Sequence, residues 1–558
     1  MSLRSSRGLI LLTIAAGCLL MLGSPALAAG TTYYVNCAAA TDGNGSATSP
    51  WNNLTTVNGK TFAPGDSLLF NRGTTCTGSL VFSSSGTSAN PITIGAVGTG
   101  ALPAIDGTGQ NRAVKLLDTS YVTMQDLEVK NSRVWGVLVT TDHDAPAVGI
   151  TLRNLVVHHI TGGDYTAMGA KWTGCVVFAP GMIVEPDMTK GSGVYTRKSY
   201  FDTVLVDNVQ AYDTTLWAGI FVWGVQVDQD FQWNKDSQNQ AIQSRNITIQ
   251  NSTVHDTYGD GIAIYMSHNG TIQSSVVYRS GMQPAPESIG SPVGLWWWSS
   301  ENMLGQLNES YDNHSPSVDG GGYDIDYHSH TSTMQYNYGH DNITYCTSVF
   351  GSNGATTDNI VRYNVCANDG LQHTYKKKNA KGQLVDTTLP GDSEIYLCTW
   401  QGGSLTNTWI YNNTFYVTST GTYNGVVTDC PGGGDSESGG IWRNNLVVST
   451  VPNVLGDVSV LNNRARDYDL YYYTGGTFTD PSPEPHGIYN RDALVNSLGY
   501  HGVGRPTTQW TLQAGSPAIN AGTNPCSGLS GCSYGSRDFY GNAIPNNGVF
   551  DIGANEAG

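Results

Sequence analysis

A loose internal repeat constrains this chain of 558 residues more than any other feature of its sequence. Each copy holds a short β-like stretch, an asparagine, a second short stretch, a turn and a third stretch. The clearest copies are NITIQNSTVHDTYGDGIAIYMSHNG from Asn246, TMQYNYGHDNITYCTSVFGSNG from Thr333 and NIVRYNVCANDG from Asn359. One copy is too short to bury its own apolar residues, so successive copies must stack and share one core.

Three short strands in each copy, stacked in register, predict an all-β parallel β-helix, a solenoid of three-strand coils. The 68 glycines, the charged fraction of 13% and the near absence of helical patterns support many turns and little helix. We expect Asn251, Asn337, Asn364 and Asn412 to stack at one bend, where asparagine tolerates a left-handed backbone and can bond the neighbouring coil. A β-propeller is the alternative fold, but its blades need longer repeats.

The sequence resembles the secreted right-handed parallel β-helix proteins of the pectate-lyase-like superfamily. The resemblance is carried by TTYYVNCAAATDGNGSATSPWNNL and FAPGDSLLFNRGTT, by MQYNYGHDN, and by AGSPAINAG, RDFYGN and FDIGANE near the end. It implies an N-terminal cap and first coils over residues 30–110, a β-helix core over 111–465, and C-terminal coils with a closing tail over 466–558. It leaves the activity open, because the superfamily includes lyases, hydrolases, epimerases and non-enzymatic adhesins.

Residues 1–29 have the features of a secretory signal peptide. Arg4 and Arg7 precede an apolar run from Gly8 to Leu22, and the small residues of ALAAG follow. The chain is therefore predicted to be secreted or extracytoplasmic, with no membrane segment after cleavage. A lipid anchor on Cys18 is a weaker alternative.

An exported chain can keep disulfides. Spacing alone suggests four pairs and one cysteine left over. The pairs are Cys37/Cys76, Cys346/Cys366, Cys398/Cys430 and Cys526/Cys532, and the remaining residue is Cys175. Metal binding by cysteines is the weaker interpretation, because no Cys-x-x-Cys pair is present.

The formal net charge of −17 limits which polymers this chain can bind. Such a field repels nucleic acid, and it repels a polyuronate unless a cation or a basic patch intervenes. Neutral glycans meet no such penalty. We therefore expect a polysaccharide partner and no nucleic acid. The chain is expected to be a monomer.

Alternation along the third strand of successive copies predicts which side chains face outward. A stripe of aromatic rings around a few acids suits a sugar chain, because carboxyl groups can supply the acid–base chemistry between bound pyranose rings. Packing of the same rings under long loops, such as 281–292 and 370–391, is the alternative. The predicted inward residues are Ile220, Val222, Ile262, Ile264, Leu295, Trp297, Ile325, Tyr327, Val349, Ile395 and Leu397. The predicted outward residues are Phe221, Trp223, Ala263, Tyr265, Trp296, Trp298, Asp324, Asp326, His328, Ser348, Phe350, Glu394, Tyr396 and Trp400.

The stretch DGGGYDIDYHSH, Asp319 to His330, carries the candidate catalytic groups. Glycoside hydrolysis needs two carboxyl groups across the scissile bond, and we predict Asp324 and Asp326, with Glu394 as the alternative partner. Two residues along a strand separate Cα atoms by roughly 6.5–7 Å, and inverting enzymes hold their acids about 6.5–9.5 Å apart, so inversion is expected. The predicted hydrolase mechanism requires no cofactor.

Other side chains complete the predicted site. His328 is expected to tune one of the acids or to bond a sugar hydroxyl. The predicted sugar-binding residues are Trp296, Trp298, Tyr396, Trp400, Trp223, Tyr265 and His330.

A cation-dependent lyase or a C5-epimerase acting on a uronate polymer is the main alternative activity. Asp319, Asp324 and Asp326 would then hold Ca²⁺ through oxygen ligands. The one basic cluster near the predicted face is YKKKNAK, which begins at Tyr375. A non-catalytic glycan-binding surface protein is a further alternative.

The remaining sequence patterns indicate little further chemistry. The adjacent histidines of VVHHI, His158 and His159, have no metal-ligand partner in sight along the sequence. No phosphate-binding loop, dinucleotide fingerprint or nucleophile elbow stands out, which disfavours nucleotide chemistry and serine hydrolysis.

Overall fold

The computed structural model describes most of the chain after the predicted signal peptide, which lies outside the described residues. The described ranges are 30–141, 143, 145–162, 172–180, 199–224, 243–282, 292–315, 319–371, 373–378, 383–389, 392–418, 425–429 and 436–557. Within these ranges, no helix has both the length and the apolar character to cross a membrane.

Three long parallel sheets wind into a right-handed β-helix, so the predicted fold is confirmed. Each coil passes through sheet I, sheet II and sheet III in that order. One coil, for example, runs through Ser244–Gln250, Thr253–Thr257 and Ile262–Tyr265 before Ser267–Gln273 begins the next coil. Every strand in these three sheets pairs with the same stage of the coil before and after it.

Strands are numbered in chain order. Sheet I contains β1 Thr32–Val35, β2 Ser67–Asn71, β5 Ile92–Val97, β8 Val122–Gln125, β11 Ala147–Arg153, β14 Phe201–Asp207, β17 Ser244–Gln250, β20 Ser267–Gln273, β23 Leu304–Gln306, β26 Thr333–Gln335, β30 Ile360–Arg362, β36 Trp409–Tyr411, β40 Ile441–Arg443 and β42 Ala465–Asp467. Sheet II contains β3 Thr75–Thr77, β6 Ala104–Asp106, β9 Glu128–Lys130, β12 Val156–Ile160, β15 Gln210–Thr214, β18 Thr253–Thr257, β21 Val276–Tyr278, β24 Glu309–Tyr311, β27 Tyr338–His340, β31 Val365–Ala367, β37 Thr414–Val417, β41 Leu446–Ser449, β43 Leu470–Tyr473 and β44 Ile488–Tyr489.

Sheet III contains β4 Leu80–Phe82, β7 Arg112–Leu117, β10 Trp135–Thr141, β13 Gly174–Pro180, β16 Ala218–Trp223, β19 Ile262–Tyr265, β22 Leu295–Trp298, β25 Tyr323–Ile325, β28 Thr347–Ser352, β34 Ile395–Trp400 and β38 Val427–Thr428. A short parallel sheet adds β29 Ala355–Thr357, β35 Ser404–Thr406 and β39 Glu437–Ser438. An antiparallel hairpin between β31 and β34 consists of β32 His373–Lys378 and β33 Leu384–Leu389. The helices in the described ranges are α1 Leu54–Asn58 near the start and α2 Val458–Asn462 near the end.

Apolar side chains from all three sheets fill the interior in columns that run along the helix axis. In sheet III, Ile220 pairs with Ile262, and Ile262 pairs with Leu295 on the next strand. All three belong to one continuous core and have no solvent exposure. Each fully buried aliphatic side chain of this kind contributes roughly 1.5–3 kcal/mol, so the core stabilises strands that are individually too short to persist.

Buried asparagines form a ladder at the bend between sheets I and II. The backbone N–H of each member donates to the side-chain oxygen of the next, at 2.9 to 3.1 Å. Each side-chain NH₂ also donates to a backbone carbonyl of the preceding coil, as Asn337 does to Gly305 at 2.9 Å. Amide groups can be buried here because the ladder satisfies their hydrogen bonds. The members are Asn308, Asn337, Asn364, Asn413 and Asn445.

The single asparagine stack expected at this bend is in fact two adjacent rows. Asn337 and Asn364 belong to the buried ladder, as predicted. Asn251 and Asn412 lie one residue earlier in their coils, each with a φ of 52°. Their side chains bond elsewhere, and Asn251 donates to Asp207 Oδ1 at 2.7 Å. The left-handed residue and the buried bridging residue are therefore neighbours, and one asparagine does not do both tasks.

A second buried ladder follows the bend between sheets II and III, and both ladders end in an aspartate followed by a glutamate. In the second ladder the Asn342 N–H donates to Asp369 Oδ1 at 2.9 Å, and the Asp369 N–H lies 3.4 Å from Glu394 Oε1. In the first ladder Asp469 takes the place after Asn445, and its N–H donates to Glu484 Oε2 at 3.1 Å. Two carboxyl groups thus replace the amides where each ladder stops.

The last residues of the chain pack over the outer face of sheet II. Trp510, Phe539 and Ile552 join Val365 and Leu446 in a second apolar cluster. The motifs RDFYGN and FDIGANE are bound together by one buried carboxylate, because Asp538 accepts from the N–H groups of Tyr540, Asn542 and Glu556. This segment forms the closing tail that the sequence resemblance implied.

Three of the four suggested disulfides are confirmed. They are Cys37–Cys76, Cys346–Cys366 and Cys526–Cys532. Cys398 is also disulfide-bonded, but its expected partner Cys430 lies outside the described residues. Cys175 is free and buried.

The buried pairs are Asp369 with Glu394 and Asp469 with Glu484. We predict that, because of these pairs, the free energy of unfolding decreases as the pH rises from about 4 to about 7. Burial raises the pKa of Asp369 to about 7, although hydrogen bonds from Asn342 and then the charge of His340 lower it. Burial and then Asp369 raise the pKa of Glu394 well above its usual range. The folded chain keeps protons that the unfolded chain releases above pH about 4, so their stabilising effect is lost towards pH 7.

Asp369→Asn should make the thermal unfolding midpoint less dependent on pH in this window than in the wild type, because an amide at this position cannot release the proton. Asp492→Asn, at an exposed carboxyl of the tail, is the matched control and should keep the wild-type dependence. Equal pH dependence in Asp369→Asn and the wild type would contradict the prediction.

Candidate active site

The outer face of sheet III carries the aromatic side chains that the alternation predicted. The inward residues Ile220, Ile262, Leu295, Ile325 and Val349 lie in the main core. Two separate clusters lie on the outside of the same sheet. One contains Phe221, Ala263, Tyr265 and Trp296 with Trp223 and Trp298, and the other contains Phe350, Tyr396 and Trp400. The predicted register is confirmed for these residues.

Eight rings follow one another along this face with centroids 5.0 to 5.7 Å apart, in tilted or edge-to-face contact. The rings extend over seven consecutive strands, from β13 to β34, which corresponds to roughly 29 Å along the helix axis at about 4.8 Å per strand. We call this row the aromatic belt. Its members are Trp172, Trp223, Tyr265, Trp298, Tyr327, Trp400, Phe350 and Tyr396.

Tyr327 faces outward, so its predicted inward position is wrong. Strand β25 ends at Ile325, and Tyr327 lies in the turn that follows. Strict alternation holds only while the backbone stays extended. The ring of Tyr327 contacts Trp298 at 5.6 Å and Trp400 at 5.5 Å, and it joins the two halves of the belt.

The predicted sugar-binding residues fall into two groups that differ in the solvent exposure of their side chains. Trp223, Trp298 and Trp400 are partly exposed, as is Tyr327. Trp296, Tyr265 and Tyr396 are almost inaccessible and lie behind or between the exposed rings. The exposed rings are therefore the ones that a ligand can contact, and the buried rings fix their orientation.

Asp324 and Asp326 lie in the middle of the belt. Asp324 pairs with Trp296 on one neighbouring strand and with Ser348 on the other. Its Oδ1 accepts from the Ser348 hydroxyl at 2.7 Å, and the residue is 2% exposed. Asp326 is 8% exposed, and its Oδ1 accepts from the Tyr327 N–H at 2.7 Å. Asp326 is thus the more accessible of the two predicted acids.

Asp319 is a third carboxyl of this site. The Tyr345 hydroxyl donates to Asp319 Oδ1 at 3.3 Å. Burial raises the pKa of Tyr345 well above its usual range, and Asp319, Asp324 and Asp326 add to the rise. The sequence offered Asp319 only as a Ca²⁺ ligand, because it precedes the strand and alternation cannot place it.

Asp392 was missed by the sequence reasoning. Burial and then the charge of Asp319 raise its pKa to about 8, so this carboxyl keeps its proton at neutral pH. It ends the long insertion before β34. Its only sequence signal is its position in GDSE, directly before the predicted strand.

The predicted outward position of Glu394 is wrong. Glu394 lies at the bend before β34, where its backbone carbonyl accepts from the N–H groups of Cys346 and Thr347 at 3.1 Å. Its side chain is 1% exposed and continues the buried ladder beside Asp369. The bend breaks the alternation, so Glu394 does not share the face of Asp324 and Asp326.

The two histidines of the stretch occupy different places. His328 has a φ of 62° in the turn after β25, and its ring contacts Tyr327 at 5.4 Å. Burial lowers its pKa, and His330 lowers it further. His330 lies around the corner, in isolated bridges with Glu301 and with Thr357 of β29, and its Nδ1 bonds the Thr357 hydroxyl at 2.8 Å. His328 thus contacts the belt through Tyr327.

One group of three potential metal ligands occurs within the described part of the chain. It consists of Cys346, Cys366 and Asp369, and the two cysteines there form a disulfide. Asp319, Asp324 and Asp326 do not form such a group in this structure. Ca²⁺ binding at those acids stays a hypothesis tied to the lyase alternative.

No family model and no curated protein sequence matches the chain. Among solved structures, the chain is similar to a GH136 lacto-N-biosidase from Eubacterium ramulus, as its selenomethionine derivative, with a TM-score of 0.56 and 22% identity over 74% of this chain and 67% of that chain. The native form of that protein gives a TM-score of 0.50 and 20% identity over 73% and 66%.

A pectate lyase matches over 96% of this chain and 98% of its own, with a TM-score of 0.39 and 14% identity. At such identities, the likeness to the two lacto-N-biosidase structures shows the fold alone. The three parallel sheets of the chain itself form the parallel β-helix that the sequence predicted.

Trp297 and Trp298 are neighbours in β22 that face opposite sides of sheet III. Trp297→Ala should lower the free energy of unfolding by about 3–5 kcal/mol, because it leaves a cavity in the main core. Trp298→Ala should cost less, because that ring is partly exposed on the belt. Denaturant unfolding of the two variants measures the difference. Equal losses would mean that the outer face is packed as tightly as the core.

Proposed function

We propose that this protein is a secreted glycoside hydrolase that cleaves a neutral polysaccharide on the outer face of sheet III. The observation that carries the proposal is the position of Asp326 and Asp324 in the middle of the aromatic belt. Belt rings precede these acids on the strands β16, β19 and β22 and follow them on β28 and β34. A sugar chain along the belt would therefore pass directly over the acids.

The exposed rings provide the binding part of the proposed site. Trp223, Trp298, Tyr327 and Trp400 each present apolar ring surface beside polar groups, which suits the mixed character of a pyranose. They follow the helix axis, so a bound chain would extend along the axis and contact successive coils. The likeness to a structure named lacto-N-biosidase is compatible with a carbohydrate ligand.

Two carboxyl groups would carry the chemistry. One protonates the leaving oxygen, and the other activates water or attacks the anomeric carbon. Asp326 is the more exposed of the predicted pair, so we assign it direct contact with the sugar. Its partner is Asp324, two residues earlier, or Asp319, which reaches the site beside Tyr345. Asp324 and Asp326 are two residues apart, and we therefore expect inversion, which proton NMR of the fresh product would reveal as an inverted anomer.

The charge of the face favours a neutral substrate. The described strands of sheet III from β16 to β34 contain no lysine or arginine. A uronate chain would bring its carboxylates next to Asp319, Asp324 and Asp326 without a compensating cation on these strands, and like charges repel. A neutral chain avoids this repulsion.

Assay of neutral and acidic polysaccharides with one protein preparation tests the proposal. We expect new reducing ends from a neutral polysaccharide, no product that absorbs in the ultraviolet as unsaturated uronates do, and no effect of a chelator. Unsaturated products that disappear with a chelator would indicate a lyase, and altered uronate stereochemistry an epimerase. Binding without any product would indicate a glycan-binding protein, and each of these outcomes would contradict hydrolysis.

Asp326→Asn should lower the rate of reducing-end release by about 10²–10⁴-fold, because it removes an acid–base group. Asp324→Asn and Asp319→Asn should lower kcat to different extents. The variant with the larger loss identifies the partner carboxyl. Asp312→Asn, on an exposed acid beside sheet II, is the matched control and should keep wild-type activity. If Asp326→Asn folds normally and works at the wild-type rate, Asp326 has no part in the mechanism.

A further inference from the structure

A buried histidine lies between two carboxyl groups beneath the closing tail. His340 is the last residue of β27 and is 1% exposed. Its Nδ1 lies 2.7 Å from Asp341 Oδ2, and its Nε2 lies 3.2 Å from Glu309 Oε1 in the preceding coil. The rings of Tyr311 and Tyr338 stack on the imidazole, with centroids 4.7 and 4.5 Å away. The stacking fixes the ring so that both of its nitrogens face carboxyl oxygens.

Both carboxyl groups also bind the tail. Glu309 Oε1, the oxygen that faces His340, accepts from the Gly504 N–H at 2.6 Å. On the other side of the ring, Asp341 Oδ1 lies 2.9 Å from His501 Nδ1. His340 is therefore connected to the tail through two separate carboxyl groups.

The tail segment that these groups bind is residues 501–504. All four residues are exposed, and Val503 is 67% exposed. The Tyr338 hydroxyl adds a hydrogen bond to the Gly502 carbonyl at 3.2 Å. Because the segment buries little apolar surface, its attachment depends mainly on hydrogen bonds. It can open locally without unfolding the apolar cluster that holds the rest of the tail.

The protonation state of the ring decides how many of these bonds can form. A neutral imidazole has one N–H and can donate to only one carboxylate, whereas an imidazolium donates to both. We propose that His340 is a proton-dependent switch, which holds tail residues 501–504 on sheet II when it is protonated and lets them open when it is neutral. Loss of either proton turns a ring lone pair toward a carboxylate oxygen, and two acceptors in contact repel. The repulsion displaces that carboxylate, and its bond to the tail weakens.

The groups around the ring set the direction of the pH dependence. Burial lowers the pKa of His340, but hydrogen bonds to Asp341 and Glu309, and the charges of Asp341 and Asp369, raise it above its usual value. The protonated ring is thus favoured in the closed state. The stabilisation of the segment is complete below the usual value of about 6.5 and is lost as the pH rises through the raised pKa.

The other titratable groups near the ring do not reverse this direction. Tyr311 and Tyr338 stay neutral, because burial raises the pKa of both hydroxyls. Arg505 of the tail interacts with Glu309 and stays charged throughout. His501 also gains its proton as the pH falls, so its contribution has to be separated by substitution. The switch lies on sheet II, apart from the aromatic belt, and does not depend on the proposed hydrolysis.

Hydrogen–deuterium exchange of the full chain between about pH 6 and about pH 9 tests the switch. The Gly504 amide is a direct reporter, because it donates to Glu309. Protection is taken as the exchange rate relative to that of an unstructured chain at the same pH. In the wild type, protection of residues 501–504 should fall by about 10–100-fold over this range, as expected for the loss of one hydrogen bond to a charged group. Protection around the buried Phe539 should not fall with it.

Three variants identify the group that titrates. His340→Gln cannot titrate and should show the same protection of residues 501–504 at every pH. His501→Gln, at a side chain that is 46% exposed, is the matched control and should keep the wild-type change. Asp341→Asn should move the change to lower pH, because it removes a carboxylate that raises the pKa of His340.

The proposal is overturned if protection of residues 501–504 in the wild type does not depend on pH, or if His340→Gln keeps the wild-type change. A change that disappears in His501→Gln and persists in His340→Gln would assign the switch to the exposed ring and would also overturn it. If His340→Gln does not fold, an unchanged transition in Asp341→Asn decides against the proposal.

Discussion

Every other feature of this protein depends on the hydrogen bonds that hold one coil on the next. Many strands of the later coils have only three residues, and such strands cannot persist alone. Their backbone groups bond the coils above and below, and the buried amides of Asn308, Asn337, Asn364 and their successors add bonds at the bend. Buried polar groups need partners, so a coil that slipped by one residue would lose the whole ladder. The ladder therefore helps to fix the register of the later coils, in which its members lie.

The register also determines what each face can do. Because Ile325 lies in the core column, its neighbours Asp324 and Asp326 are directed to the other side of sheet III. Because β22 and β28 keep the same register, Trp296 and Ser348 lie on either side of Asp324. The aromatic belt and its acids are thus products of the same constraint as the core. The bends are different, since there the backbone leaves the sheet and places Tyr327 and Glu394 by its own geometry.

The sequence predicted the parts of the structure that follow from period and stacking. The β-helix, the direction of side chains within sheet III, three disulfides and the closing tail all agree with it. The wrong predictions concern residues beside the ends of strands. Tyr327 and Glu394 follow or precede a strand, and Asn251 and Asn412 adopt the left-handed backbone beside the ladder instead of joining it.

The sequence did not predict which residues on different coils become neighbours. Burial and the charge of Asp319, which is distant in sequence, raise the pKa of Asp392, and His158 Nε2 lies 3.0 Å from Glu128 Oε1 on the preceding coil. Coils of this chain differ in length, so no fixed spacing shows which residues become neighbours. The roles of Asp324, Asp326 and the belt residues in binding and catalysis are proposals that rest on their shared face.

The most direct measurement is a crystal structure of Asp326→Asn with a neutral oligosaccharide of the polymer that the wild type cleaves. We expect the sugar rings to lie along Trp298, Tyr327 and Trp400, with one glycosidic oxygen within hydrogen-bond reach of residue 326. An oligosaccharide bound on sheet I or sheet II, with the belt left vacant, would contradict the assignment of this face as the active site.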